Sequence, residues 1–145
     1  MRDIERAKKL LEAEGFSCVF TQGDTIYTSR KTGVAPLVEF LSSGINLNGF
    51  SAADKIIGKA AALLFVLAGV REVYASVMSE PAVTVLRQNK ICHSYGILTP
   101  SIENRTGTGQ CPMEQAVARI DDPTQALTAI RATMEHLANG RKEDL

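Results

Sequence analysis

The stretch RTGTGQCPMEQAV, residues 105–117, carries a glycine-rich loop that leads into a cysteine and a helix start. Gly107 and Gly109 can adopt positive φ, and Arg105 adds a positive charge. Two such glycines allow backbone N–H groups to turn toward an anion, as phosphate-binding loops do. The lysine and hydroxyl residue of a Walker motif do not follow, so the phosphate signal is weak.

Cys111 is the residue of this stretch whose chemistry could be catalytic. A thiolate is stabilised at a helix N-terminus, and Arg105 could assist if the loop folds back, whereas Glu114 would oppose it. His93, on the preceding predicted strand, is the candidate base. The same residues also fit an inert helix cap, with Pro112 first and Glu114 third in the helix. Both interpretations of Cys111 stay open.

A second group of charged residues lies in SAADKIIGKAAALL, which predicts a helix over 52–67. Lys55 and Lys59 are one turn apart and can share a face, and Lys55 in the first turn needs a negative partner, either Asp54 or a ligand phosphate. They are either ligand contacts or solvated lysines. Gly58 inside a helix costs about 1 kcal/mol, which indicates close packing by an element or a ligand.

The elements that must position these residues alternate along the chain. Their order predicts one domain, residues 1–140, and a flexible tail over 141–145. It is an α/β fold, a three-layer α/β/α sandwich with a mixed five-stranded sheet, in which the 52–67 and 80–90 helices share a face. The predicted helices are 2–14, 52–67, 80–90, 112–118 and 123–139, and the predicted strands are 17–22, 25–30, 34–43, 70–78 and 93–98.

Composition narrows the function classes. The 145 residues are 45% hydrophobic and 22% charged with a formal net charge of zero, so no bulk charge favours nucleic acid or a membrane surface. The apolar run over 60–70 is about half a membrane span. The charged N-terminus does not resemble a signal peptide. The three cysteines fit neither a disulfide framework nor zinc spacing, and we expect a cytoplasmic location.

The element order resembles the cytidine-deaminase-like fold. Zinc deaminases of that fold carry H-x-E at the first crossover helix and P-C-x-x-C at the next. The runs ADKIIGKAAALL, SEPAVTVL and GTGQCPME resemble a small prokaryotic family of unknown function that has this fold without its zinc. Glu80 stands where such enzymes have the glutamate before the P-C pair.

The resemblance implies that the zinc ligands are missing. The corresponding positions are Ala52 or Ala53 for the histidine, Asp54 or Lys55 for the glutamate, and Ala82 and Val85 for the cysteines. Without zinc, nothing here lowers the pKa of a water molecule to near neutrality, so we expect neither a metal or other cofactor nor hydrolytic deamination.

The leading hypothesis is therefore a domain that binds a nucleotide or an ADP-ribose-type ligand where the two crossover helices begin, beside the 105–111 loop. Its expected ligand-binding residues are Asp54, Lys55, Lys59, Glu80, Arg105, Gly107, Gly109 and Cys111. One alternative is an enzyme or a covalently modified acceptor, for example ADP-ribosylated, acting through Cys111 or Lys55. Another is a ligand-free regulatory or interaction domain, with a homodimer as one form, associating through helices 2–14 and 123–139.

Overall fold

The computed structural model describes residues 1–104 and 106–143, the last three by their backbone alone. Along this part of the chain, strands alternate with helices as follows: α1 (Asp3–Glu14), β1 (Cys18–Gln22), β2 (Thr25–Ser29), α2 (Ala35–Ser42), β3 (Ser51–Ile57), α3 (Lys59–Ala68), β4 (Glu72–Ser79), α4 (Glu80–Gln88), β5 (Cys92–Thr99), α5 (Pro112–Ala116) and α6 (Pro123–Glu143).

The five strands form one mixed sheet in the order β2-β1-β3-β4-β5. β1 runs antiparallel to both of its neighbours, whereas β3, β4 and β5 are parallel. The helix α1 buries Ile4, Ala7 and Leu11 against one face. The other face packs against α3 and α4, with α6 lying on α3. The predicted three-layer α/β/α arrangement with a mixed five-stranded sheet is confirmed.

The segment 34–43 was predicted as a strand, and that prediction is wrong, because residues 35–42 form α2. Pro36 lies in the first helical turn, where its fixed φ and missing N–H are tolerated. Leu37 is fully buried, and Phe40 and Leu41 pack beside the same core at helical spacing. A short continuous apolar run does not distinguish a buried helix from a buried strand by its periodicity, which explains the error.

The helix predicted over 52–67 is a strand followed by a helix. SAADKII forms β3, in the middle of the sheet, although alanine, aspartate and lysine have low β-propensity. Ala52 and Ala53 are both fully buried on opposite faces of this strand, one beneath each helix layer. Tertiary burial has therefore overridden local propensity. Gly58 is the N-cap residue of α3 and not a helix-interior glycine.

The remaining elements lie close to their predicted positions. The helix predicted from residue 123 begins at Pro123, and Asp122 caps it, since its Oδ2 accepts a hydrogen bond from the N–H of Gln125 at 2.9 Å. The predicted end of this helix at residue 139 is wrong, because α6 continues to Glu143. Residues 144 and 145 of the predicted tail lie outside the described residues, and the single-domain assignment stays a prediction. No helix in the described ranges is both long and apolar enough to cross a membrane.

Candidate functional site at the carboxyl edge of the sheet

The parallel strands β3, β4 and β5 end at one edge of the sheet, at Ile57, Ser79 and Thr99. The helix α3 begins at Lys59, one residue after Gly58, and α4 begins at Glu80, directly after its strand. Two helix N-termini therefore lie at the same sheet edge, as the sequence predicts. Ligands of open α/β sheets bind at such carboxyl edges, which makes this edge the first place to look for a site.

The N-terminus of α3 is occupied by a side chain of the protein itself. Glu114, on α5, accepts hydrogen bonds from the N–H of Lys59 at Oε1 (2.7 Å) and from the N–H of Ala60 at Oε2 (2.8 Å). The side chain is buried, with 6% of the residue's surface exposed. A carboxylate there is stabilised both by the unpaired N–H groups of the first turn and by the helix dipole. This pair of N–H groups therefore does coordinate an anion, and the anion is Glu114.

Gly58 is what allows the carboxylate to come so close. A Cβ placed on Gly58 would lie 2.2 Å from Oε1 of Glu114, 2.6 Å from its Cδ and 2.9 Å from Cγ1 of Ile102. The backbone of Gly58 is extended, with φ −98° and ψ −172°, so its conformation does not itself require glycine. The requirement is steric. Close packing, one of the two explanations predicted for this glycine, is the one that the contacts support.

Lys59 and Lys55 do not share a helix face. Nζ of Lys59 donates to the backbone carbonyl of Ala118 at 3.2 Å and pairs with Asp121 at 3.2 Å. Its side chain is only 15% exposed, so it attaches the segment between α5 and α6 to α3. Lys55 is exposed on β3, where its N–H donates to the carbonyl of Ser17 at 3.2 Å. The predicted lysine pair on one helix face is wrong, whereas ligand contact by either residue stays a prediction.

Asp54 lies in the interior of β3, directly opposite Cys18 of β1, and not at a helix start. It is 6% exposed, and its Oδ1 accepts a hydrogen bond from the N–H of Ile56 at 3.3 Å. Burial raises the pKa of Asp54 to about 7, against the lowering effects of backbone N–H groups and of a hydrogen bond with Cys18. Burial, and then the neighbouring Asp54, raise the pKa of the Cys18 thiol. The two residues form a buried acid–thiol pair in which burial disfavours the charged form of each.

The N-terminus of α4 has a cap of its own. Oγ of Ser79 accepts a hydrogen bond from the N–H of Ala82 at 3.2 Å, and Pro81 has no N–H to satisfy. The side chain of Glu80 is exposed beside this cap. The residues at the predicted cysteine positions, Ala82 and Val85, are buried in the core. The first turn of α4 is thus built as a self-contained helix start.

The glycine-rich loop closes on Asn104. The N–H of Gly107 donates to its carbonyl at 3.1 Å and the N–H of Thr108 donates to its Oδ1 at 3.0 Å. The N–H of Asn104 in turn donates to the carbonyl of Gly109 at 2.8 Å. Gly107 has φ +69°, the positive value expected of it. Two N–H groups that could have contacted a phosphate are therefore used within the loop. Arg105 lies outside the described residues.

Cys111 is the half-buried N-cap residue of α5, and its N–H donates to the carbonyl of Ile102 at 3.0 Å. Pro112 is the first and Glu114 the third residue of the helix, as predicted, but no side chain of the described residues caps α5, and the Glu114 carboxylate caps α3 instead. His93 lies near the start of β5, with Nδ1 3.0 Å from the carbonyl of Ile91. About 20 Å of strand separates it from Thr99 at the carboxyl edge, so it is not placed to act as a base for Cys111.

The described residues hold no group of three or more histidine, cysteine or acidic side chains that could bind a metal ion together.

Two surface cavities, of about 290 and 180 Å³, lie away from the starts of α3 and α4. The larger is lined by the start of α1 and by Ser51, Arg71 and Glu72, at the amino ends of β3 and β4. Both cavities are therefore separate from the helix starts.

Sequence reasoning missed the two contacts that organise this region. Glu114 and Lys59 are 55 residues apart, and Cys18 and Asp54 are 36 apart, so no local spacing joins either pair. The one available signal was Gly58, whose missing side chain indicates a close neighbour without identifying it.

The family model described as TM1506: Domain of unknown function (DUF1893) matches residues 6–134. The chain belongs to this family. A DUF1893 family protein (TM1506) from Thermotoga maritima, known from a crystal structure, has 29% identity and a TM-score of 0.81 over 94% of this chain and 91% of that chain. The predicted resemblance to a family of unknown function is thus confirmed. No curated protein matches the chain.

The dCMP deaminase of the cyanophage S-TIM5, in its apo form, resembles this DUF1893 domain weakly. The two share 16% identity with a TM-score of 0.48, over 66% of this chain and 99% of that chain. A likeness at this level does not support a functional comparison. The predicted histidine and glutamate positions, Ala52 to Lys55, are also wrong, since they lie on β3 and the helix begins at Lys59.

Proposed function

We propose that this DUF1893 domain binds a nucleotide or an ADP-ribose-type ligand at the carboxyl edge of its sheet. In this proposal the ligand's phosphate and the Glu114 carboxylate compete for the N–H groups of Lys59 and Ala60. The two hydrogen bonds of 2.7 and 2.8 Å to Glu114 carry the proposal, because they identify a pair of donors with the geometry and the dipole for an anion.

Gly58 supports the same proposal. A residue without a side chain at the N-cap leaves the first turn of α3 open to a group as large as a carboxylate. Glu114 itself lies on a five-residue helix that follows the 100–111 loop, so its position is set by a short element and not by a sheet strand. The nucleoside part of the proposal rests on the family resemblance alone.

We propose also that the domain does not catalyse zinc-dependent deamination. The start of α3 carries Gly58, Lys59 and Ala60, and the first turns of α4 carry Ala82 and Val85. None of these side chains is a usual zinc ligand, and activation of water for hydrolysis at neutral pH is what zinc supplies to that chemistry.

Calorimetric titration of the full chain with ADP-ribose, AMP and inorganic phosphate tests the binding proposal. Removing the competing carboxylate in Glu114→Ala should tighten binding about tenfold. A site that the carboxylate leaves open for only a small fraction of the time has its apparent affinity reduced by that fraction. Glu12→Ala, an exposed carboxylate on α1, is the matched control and should leave affinity unchanged.

Circular dichroism should first show that Glu114→Ala is folded, and Glu114→Gln provides a second variant of nearly the same shape without the charge. If phosphate binds as tightly as ADP-ribose and AMP, and gains the same affinity in both variants, the anion site is supported and the proposal that the ligand contains a nucleoside is contradicted. Absence of heat for all three ligands at millimolar concentration, in the parent and in both folded variants, would overturn the proposal.

A further inference from the structure

The strand β5 is an edge of the sheet, and among residues 1–104 and 106–143 only β4 pairs with it. Its eight residues are exposed along almost the whole strand. Three of the six large hydrophobic side chains that are exposed in the described ranges lie on it: Tyr95 (41%), Ile97 (63%) and Leu98 (42%). A long edge strand with exposed apolar side chains and free backbone donors and acceptors is a template for pairing with another chain.

The apolar surface continues from β5 into the sheet. Ile56, Val77 and Ile97 are register partners on three adjacent strands, so their side chains form one row on one face. The helix α1 packs against β1, β3 and β4 and buries Ala53 and Tyr74, but Ile56 beyond it remains 51% exposed.

The opposite edge strand, β2, is protected against pairing with another chain. β2 has only five residues, between Asp24 on one side and Arg30 on the other. Its Tyr27 ring is stacked on Phe50 at 5.7 Å and packs against Phe40 at 5.9 Å. Short length and flanking charges are common means of protecting an edge, and β5 (CHSYGILT) has neither.

We infer that β5 is the surface at which a second copy of this chain docks, pairing β5 with β5 in antiparallel orientation around a two-fold axis. A strand that pairs with its own copy must meet its own side chains, so a charged strand would repel itself. β5 contains no lysine, arginine, aspartate or glutamate, which suits self-pairing and offers nothing to a partner selected by charge.

This pairing satisfies the outward-facing N–H and C=O groups of β5 and joins two five-stranded sheets into one. Because a two-fold axis perpendicular to the joined sheet keeps each face on its own side, the apolar rows that end at Ile97 in the two copies lie on the same face of that sheet. The surface is separate from the helix starts at Lys59 and Glu80, so the inference does not depend on ligand binding.

Analytical ultracentrifugation of the full chain tests the inference, in reducing buffer so that the exposed Cys92 cannot form a disulfide. We expect a dimer with a Kd on the order of 10 μM or tighter. Ile97→Lys should weaken it at least about tenfold, because it places two like charges at the paired edge. Ile26→Lys is the matched control: Ile26 is 44% exposed on the β2 edge, and its change should leave the dimer intact.

Hydrogen exchange measured at high and low protein concentration gives a second readout that needs no variant. The amides of β5 should gain protection with concentration, whereas those of β2 should not. A parent chain that sediments as a monomer at about 100 μM, tenfold above that Kd, would overturn the inference, and the edge would then serve another partner. A dimer that persists in folded Ile97→Lys, or that protects β2 instead, would also overturn it.

Discussion

Asp54 and Glu114 are two buried carboxylates in one small domain, each with 6% of its surface exposed. Glu114 lies at the N-terminus of α3 and receives two N–H hydrogen bonds of 2.7 and 2.8 Å. Asp54 lies within a strand, with a 3.3 Å bond from its own neighbour and a buried thiol beside it, and burial raises its pKa to about 7. Two equally buried carboxylates therefore have different electrostatic surroundings. At Glu114, oriented N–H donors and the helix dipole offset the free-energy cost of burying a charge, whereas the strand interior around Asp54 offsets much less of that cost.

The largest expected effect concerns the pH dependence that Asp54 introduces. Its pKa is raised in the folded state, so between about pH 4 and pH 7 the folded protein binds more protons than the unfolded chain. The free energy of unfolding should therefore fall as the pH rises through this range, by about 4 kcal/mol at 1.4 kcal/mol per pKa unit. Above about pH 8, one unit beyond the folded-state pKa, this contribution should be constant.

Urea unfolding of Asp54→Asn and of the parent at pH 4 and pH 8 measures this effect. The variant remains neutral, so its stability relative to the parent should increase by about 4 kcal/mol between the two pH values. Asp24→Asn, in the exposed turn between β1 and β2, should show no such increase. An equal difference at both pH values would mean that Asp54 is not a costly buried acid.

Gly58→Ala should have the next largest effect. The new Cβ would displace the Glu114 carboxylate from its two donors, and we expect a loss of about 3 kcal/mol from overpacking and broken charge-assisted hydrogen bonds. Gly140→Ala is the control, because it lies in α6 with nothing within 4 Å and should stabilise by up to about 1 kcal/mol.

A double-mutant cycle with Glu114→Ala sharpens this prediction. Once the carboxylate is gone, Gly58→Ala should cost much less, because the two atoms nearest to the new Cβ both belong to the Glu114 carboxyl group. Additive free energies in thermal or urea unfolding would show that the glycine is required for a reason other than Glu114.

The smallest of these effects concerns Ser79, which caps α4 with a neutral hydroxyl where Glu114 caps α3 with a charge. Ser79→Ala removes one acceptor of a first-turn N–H and should destabilise by about 1 kcal/mol in urea unfolding. Ser101→Ala, exposed in the loop after β5, should change stability by less than about 0.5 kcal/mol. A loss at Ser79 as large as that at Gly58 would remove the distinction between the charged and the neutral cap.

The elements with strong local signals were predictable. The hairpin across Gly23 and Asp24 and the start of α6 at Asp122 each depend on residues adjacent in sequence, and both are present. The failures fall where burial competes with propensity. Helix-favouring residues form β3, and an apolar segment with Pro36 near its start forms α2, because the sheet and its layers require those elements there.

The sequence by itself determined the α/β class, the hairpin of β1 and β2, the start of α6 at Asp122 and the need for a close neighbour at Gly58. These follow from local chemistry such as turns, caps and apolar period. Only the tertiary structure decided that Glu114 is that neighbour, that Asp54 faces Cys18, and that β5 is left as an unprotected edge. Each of these depends on segments 36 or more residues apart, or on which strand ends at the border of the sheet, and no local pattern encodes either.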